Sequence, residues 1–206
     1  MKKTANILII CIQVLLLVFC ALCCVYTIAM GAGSGGQQLP AGTALIALIA
    51  TAYYALGQYR KVAAKAYKIM LLFCALASLM CIVPHMYNMD AISLRPIGSI
   101  ACVIGYAVCF GLYLILALVP DLGKAVTGVL IAVIFCGFFA VHLSSIILRP
   151  GPIFGDGTRF DTMRIMRHTC MWALALNVGI CSYFKYKDKA ARGPNDRSPR
   201  PEKESK

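Results

Sequence analysis

The sequence predicts an all-α polytopic membrane protein: a six-transmembrane-helix bundle, N-in/C-in. Three observations predict it. The 206-residue chain is 60% hydrophobic and only 14% charged, whereas a soluble domain carries about 25% charged residues. Its apolar residues gather into runs close to the ~20 residues that a helix needs to cross a bilayer. All eight acidic residues, Asp90, Asp121, Asp156, Asp161, Asp188, Asp196, Glu202 and Glu204, fall outside those runs, as segments facing hydrocarbon require.

The runs cover roughly 7–30, 39–56, 66–83, 97–119, 125–148 and 169–186. The first follows Lys2 and Lys3, and its apolar core from Ile7 to Ile28 is far longer than the h-region of a signal peptide. It is expected to be a retained helix. Several runs carry small residues at every fourth position, a spacing that lets helix backbones approach closely in lipid. The second has Thr43, Ala47, Thr51 and Ala55; the fourth has Ala101, Gly105 and Cys109. In the fifth, Gly128, Ala132, Cys136, Ala140 and Ser144 form the longest stripe, and Thr169, Ala173, Asn177 and Cys181 form one in the sixth. Such a face serves either packing within the bundle or contact with a second copy or a partner membrane subunit. The sixth run begins with polar residues and is the least apolar. Residues 193–206 are polar and proline-rich; they cannot bury a core and are expected to be a disordered basic cytoplasmic tail after a single domain over 1–192.

Lysine and arginine near the span ends set the orientation. One face collects Lys2, Lys3, Arg60, Lys61, Lys65, Lys68, Lys124 and the tail from Lys185 onward; the other holds only Arg95, Arg149, Arg159, Arg164 and Arg167. The asymmetry places both ends inside. The formal charge of +12 is therefore expected to face anionic lipid of the cytoplasmic leaflet. Nucleic acid is not an expected partner, because no soluble domain is left to read it. The absence of an Asn-x-Ser/Thr sequon fits a bacterial plasma membrane.

Nearly all of the eleven cysteines lie inside apolar runs, where cysteine behaves as a small hydrophobe. Cys20-Ala-Leu-Cys23, followed by Cys24, has the spacing of a redox pair. No charged or histidine neighbour lowers a thiol pKa there, so these are read as structural. His85, His142 and His168 show no ligand spacing, and neither a metal nor a cofactor is expected.

The candidate chemistry lies in the outer loop 149–168. It opens Arg149-Pro-Gly-Pro and ends Asp161-Thr-Met-Arg164-Ile-Met-Arg167-His168. Asp161 suits the cap of a short helix that displays Arg164, Arg167 and His168. Arg95 from the preceding outer loop, Arg159, and His142 about two turns below Arg149 are placed to converge on it. Arginine's planar fork suits carboxylate or phosphate. The same loop also reads as an interfacial segment whose arginines snorkel to lipid headgroups. His142 is the clearest ionisable group within a span, a functional candidate by default, although a carbonyl or the Ser145 hydroxyl would satisfy it structurally. Gln13 and Asn177 are read as hydrogen-bonding glue between helices.

No metalloprotease, serine-protease, lipid-phosphatase or phosphate-loop motif is present, so an enzyme is not expected. In size, helix count and outer site the chain is similar to the substrate-binding subunits of energy-coupling-factor vitamin transporters, a likeness of architecture that carries no residue over. Three functions follow as expectations. The first is a transport-related protein binding a small anionic or polar solute from outside. The second is an accessory subunit docking a membrane partner through its small-residue faces. The third is an enzyme modifying lipid headgroups.

Overall fold

In the computed structural model the described residues are 2–30, 35–58, 64–83, 86, 96–119, 122–147 and 159–191. Their side chains are described over 6–29, 39–56, 65–83, 86, 100–119, 122–143 and 165–187. They form six helices: α1 (Lys2–Met30), α2 (Gly35–Gln58), α3 (Ala64–Met80), α4 (Pro96–Leu118), α5 (Lys124–Ile147) and α6 (Arg159–Ala191). Each overlaps one expected run. The all-helical class follows from the apolar composition of those runs, whose backbones satisfy their own hydrogen bonds only as helices. Pro96 is the first residue of α4, the position where its missing N–H costs nothing. α3 loosens into a turn at Cys81 and Ile82, whose amides bond back to Ala77 and Leu79, just before Pro84 in the sequence.

Among the described residues, four helices are long and apolar enough to cross a membrane: α1, α2, α4 and α5. Their outward surfaces are apolar, with Leu15 at 69% and Leu56 at 70% exposure, a surface compatible with lipid rather than water. α3 has only 17 residues. α6 is the longest at 33 residues, but it carries Arg167, His168 and Asn177 along its buried length. It packs on α1, α2 and α5 and touches α3. A helix enclosed on so many sides has little lipid-facing surface to keep apolar, which is why its sequence looks least like a span.

The helices close a ring in chain order, with α6 returning to α1 and reaching across to α2. The core runs along the inward faces of α3, α4 and α6, from Met70, Leu71 and Cys74 through Tyr106 and Tyr113 to Met171, Leu174 and Val178. At the α1–α6 seam sulfur packs on sulfur. The thiols of Cys20 and Cys170 each donate to the other's carbonyl at 3.7 and 3.8 Å, and the Cys24 and Cys170 sulfurs lie 3.5 Å apart. Gln13 spans the same seam, its amide nitrogen donating to the Cys181 sulfur at 3.2 Å. Asn177 does not act as expected. Its amide donates to the Ala173 carbonyl of its own helix at 3.1 Å.

Three of the four small-residue stripes face inward: Ala47, Thr51 and Ala55 of α2, Cys109 of α4, and Ala173 and Cys181 of α6 are buried. The fifth does not. Gly128, Ala132, Cys136 and Ala140 are exposed, and α5 buries Ile134, Phe138 and Val141 instead. Its larger side chains fill the core, leaving the small ones outside.

One end of the bundle is fastened by polar contacts. Lys187 Nζ donates to Asn6 Oδ1 at 2.6 Å, which joins the start of α1 to the end of α6. The Ser182 hydroxyl gives its hydrogen to the Val178 carbonyl, so Tyr67 of α3 donates to Ser182, at 2.7 Å. Tyr186 donates to the Leu122 carbonyl at 2.7 Å and accepts from Thr127 of α5 at 2.7 Å. The starts of α1, α3 and α5 and the end of α6 therefore share one end, and the basic residues Lys65, Lys68, Lys124, Lys185 and Lys187 share it with them.

Candidate functional site

The site is assembled at the other half of the bundle. α6 begins at Arg159 rather than near 169, so the expected outer loop is helical over its last part. Arg167 and His168 are consequently not displayed on a short surface helix: they are 4% and 1% exposed, inside the bundle. The burial has a simple cause. Two adjacent polar residues interrupt the apolar pattern, yet α6 is wrapped by neighbours on several faces, so both positions point inward. Residues one apart on a helix diverge by about 100°, and here His168 turns to α4 and α5 while Arg167 turns toward α3 and α4.

Tyr106 is the centre of the arrangement. It is fully buried on α4, on a stripe with Cys102, Cys109 and Tyr113 at the 3.6-residue period. Its hydroxyl lies 2.6 Å from His168 Nδ1, and the two rings stack with centroids 5.7 Å apart and planes 17° apart. A phenol donating to Nδ1 leaves the proton of a neutral imidazole on Nε2. His142 of α5 meets the His168 ring edge-on, centroids 6.1 Å apart. The Arg167 guanidinium and the Cys81 thiol at the end of α3 both adjoin the Tyr106 hydroxyl. Phe138 lies against Tyr106 at 5.7 Å and keeps the inner side of the cluster apolar.

This convergence depends on α4 and α5 lying very close together. A Cβ at Gly105 would overlap the Val141 Cγ2 methyl, and one at Gly137 would sit 3.0 Å from the Cys109 sulfur. Each glycine thus leaves room at a level where the other helix presents a bulkier atom, most tightly at Gly105. The Cys102 thiol donates to the Val141 carbonyl at 3.9 Å. These contacts fix the level on α5 at which His142, one residue beyond Val141, meets His168.

Chemically, the cluster offers a fixed guanidinium, a phenol and two imidazoles within an apolar interior. Arg167 is the only buried charged residue among the described side chains. The arrangement suits an oxyanion or a polar hydrogen-bonding solute. Of the residues named from sequence, the structure brings together His142, Arg167 and His168. Arg95 and Arg149 lie outside the described residues. Arg159 and Arg164 lie on α6, on its first turns, with side chains outside those described. Sequence reasoning missed Tyr106, Cys81 and Cys102, which read as filler in apolar runs; the stripe 102, 106, 109, 113 was the available signal. Among the described residues, no group of three or more His, Cys, Asp or Glu is placed to hold a metal.

No protein-family model, curated protein or solved structure matches the chain. The functional reading therefore rests on the site.

Proposed function

We propose that this chain is a six-span plasma-membrane protein with both termini in the cytoplasm, that it is transport-related, and that it binds a small anionic or polar solute from the outer side. The observation that carries the reading is the Arg167–His168–Tyr106–His142 cluster at the junction of α3, α4, α5 and α6, its first three members buried and His142 half-buried. An ionisable residue inside a membrane bundle is a functional-site hypothesis by default. The orientation draws support from the gathering of Lys65, Lys68, Lys124, Lys185 and Lys187 at the end opposite the cluster, which the positive-inside tendency assigns to the cytoplasm.

The test is ligand-induced thermal stabilisation of the detergent-solubilised protein, titrated with inorganic phosphate and with short mono- and dicarboxylates. One of these classes raises the Tm saturably in the wild type. Arg167→Lys, which keeps the charge and loses the fork, weakens the response at least tenfold. An unchanged response in Arg167→Lys and in His142→Gln sinks the proposal.

A second reading, an accessory subunit that docks a membrane partner or a second copy, draws on one observation: the α5 stripe Gly128, Ala132, Cys136 and Ala140 faces outward. On that reading Ala140→Leu dissociates a complex and Arg167→Lys does not.

A further inference from the structure

A groove of about 360 Å³ runs between α5 and α6, well away from the buried cluster. Its α5 wall extends from Lys124 past Gly128 and Ala132 to Phe135; its α6 wall extends from Tyr186 past Gly179 to Ala175. The lining is apolar except at one end, where Lys124 stands exposed beside the Thr127–Tyr186 hydroxyl pair. We propose that this groove binds one acyl chain of an anionic glycerophospholipid, with the lipid phosphate at Lys124. The proposal rests on the membrane reading above but not on the solute site.

Shape and charge both point to lipid. Eleven residue steps from Lys124 to Phe135 span about 16 Å at 1.5 Å each. A groove of that length, apolar along its walls and charged at one end, fits an extended acyl chain. The depth arises because Gly128 and Ala132 carry almost no side chain where the walls stand up on either side, and a Cβ at Gly128 meets nothing within 4 Å. The charge sits at one end only, as an amphiphile requires. That end is the lysine-rich end of the bundle, where a membrane surface would hold headgroups.

The chain has a single tryptophan, and it reports on the groove. Trp172 packs on Phe135, centroids 5.0 Å apart, at the end where the acyl chain would terminate. The experiment reconstitutes the full chain into phosphatidylcholine vesicles containing a fixed fraction of acyl-brominated phosphatidylglycerol or acyl-brominated phosphatidylcholine, and reads quenching of Trp172. Brominated phosphatidylglycerol quenches more than brominated phosphatidylcholine at equal fraction. Lys124→Gln reduces that preference by about fivefold, the weight of one surface lysine against an anionic lipid. Gly128→Leu, whose Cβ meets nothing within 4 Å, projects a side chain into the groove and lowers quenching by both lipids. Equal quenching by the two headgroups in the wild type overturns the proposal. So does unchanged quenching in Gly128→Leu. Quenching that is weak and rises as protein is diluted in lipid shows a second copy covering the groove, and overturns it too. Recovery of the chain in a buffer extract without detergent would instead overturn the membrane reading itself.

Discussion

Replacing Gly105 by alanine separates two effects that usually travel together. In a helix interior alanine is favoured over glycine by about 1 kcal/mol, so the substitution should stabilise α4 taken alone. At Gly105, however, the new Cβ overlaps the Val141 Cγ2 methyl, well inside the about 3.5 Å of a carbon–carbon contact. Val141 is buried and β-branched, with little rotameric freedom to yield. The helices must part, at an overpacking cost of about 1–3 kcal/mol. Gly128→Ala on α5 is the control, because its Cβ meets nothing within 4 Å. Both variants gain the same propensity, so the difference between them isolates the clash. Gly105→Ala should fall below Gly128→Ala by about 1–3 kcal/mol in reversible unfolding by a denaturing detergent. The double variant Gly105→Ala/Val141→Ala supplies the rescue, since the next nearest atom, Val141 Cβ, lies 3.7 Å from the added carbon, an ordinary contact. Its stability should exceed the sum of the single effects by a similar amount. Equal stability of Gly105→Ala and Gly128→Ala, or no rescue, refutes the close α4–α5 packing on which the cluster depends.

Tyr106→Phe keeps the ring stack but removes the hydroxyl from His168 Nδ1; it should cost about 1–3 kcal/mol in the same unfolding assay and weaken solute binding. Tyr186→Phe removes the bonds to both Thr127 and the Leu122 carbonyl; it should cost about 1–3 kcal/mol while leaving solute affinity unchanged, because it lies at the opposite end from the cluster. For topology, Lys187→Cys should be labelled by a membrane-impermeant maleimide only after the cytoplasmic face is opened, and Asn88→Cys from outside in intact cells. Labelling of both from one side contradicts the six-span reading.

The helical class and the approximate position of each described helix were legible in the sequence, because long carboxylate-free apolar runs admit few other structures. The start of α6 was not. Arg167 and His168 lowered the apolar pattern where it mattered, and only the neighbours wrapped around α6 explain why they lie inside. Small residues at every fourth position lie on faces buried in the bundle on α2, α4 and α6 and on an outward face on α5. Spacing identifies a face that permits close approach, whereas the bulk of Ile134, Phe138 and Val141 decides which face the core takes. Of the candidate site, the histidines and Arg167 were legible as polar residues out of place. Tyr106 was not, since a tyrosine in an apolar run carries no mark of the histidine it will meet from a helix 62 residues away.

The most direct measurement is native mass spectrometry of the protein released gently from its own membrane, comparing wild type with Arg167→Lys. The account predicts a small anionic or polar molecule of defined mass retained by the wild type and lost from the variant. A wild-type protein that carries no such molecule, or a variant that retains it equally, contradicts the claim that the buried cluster is a solute site.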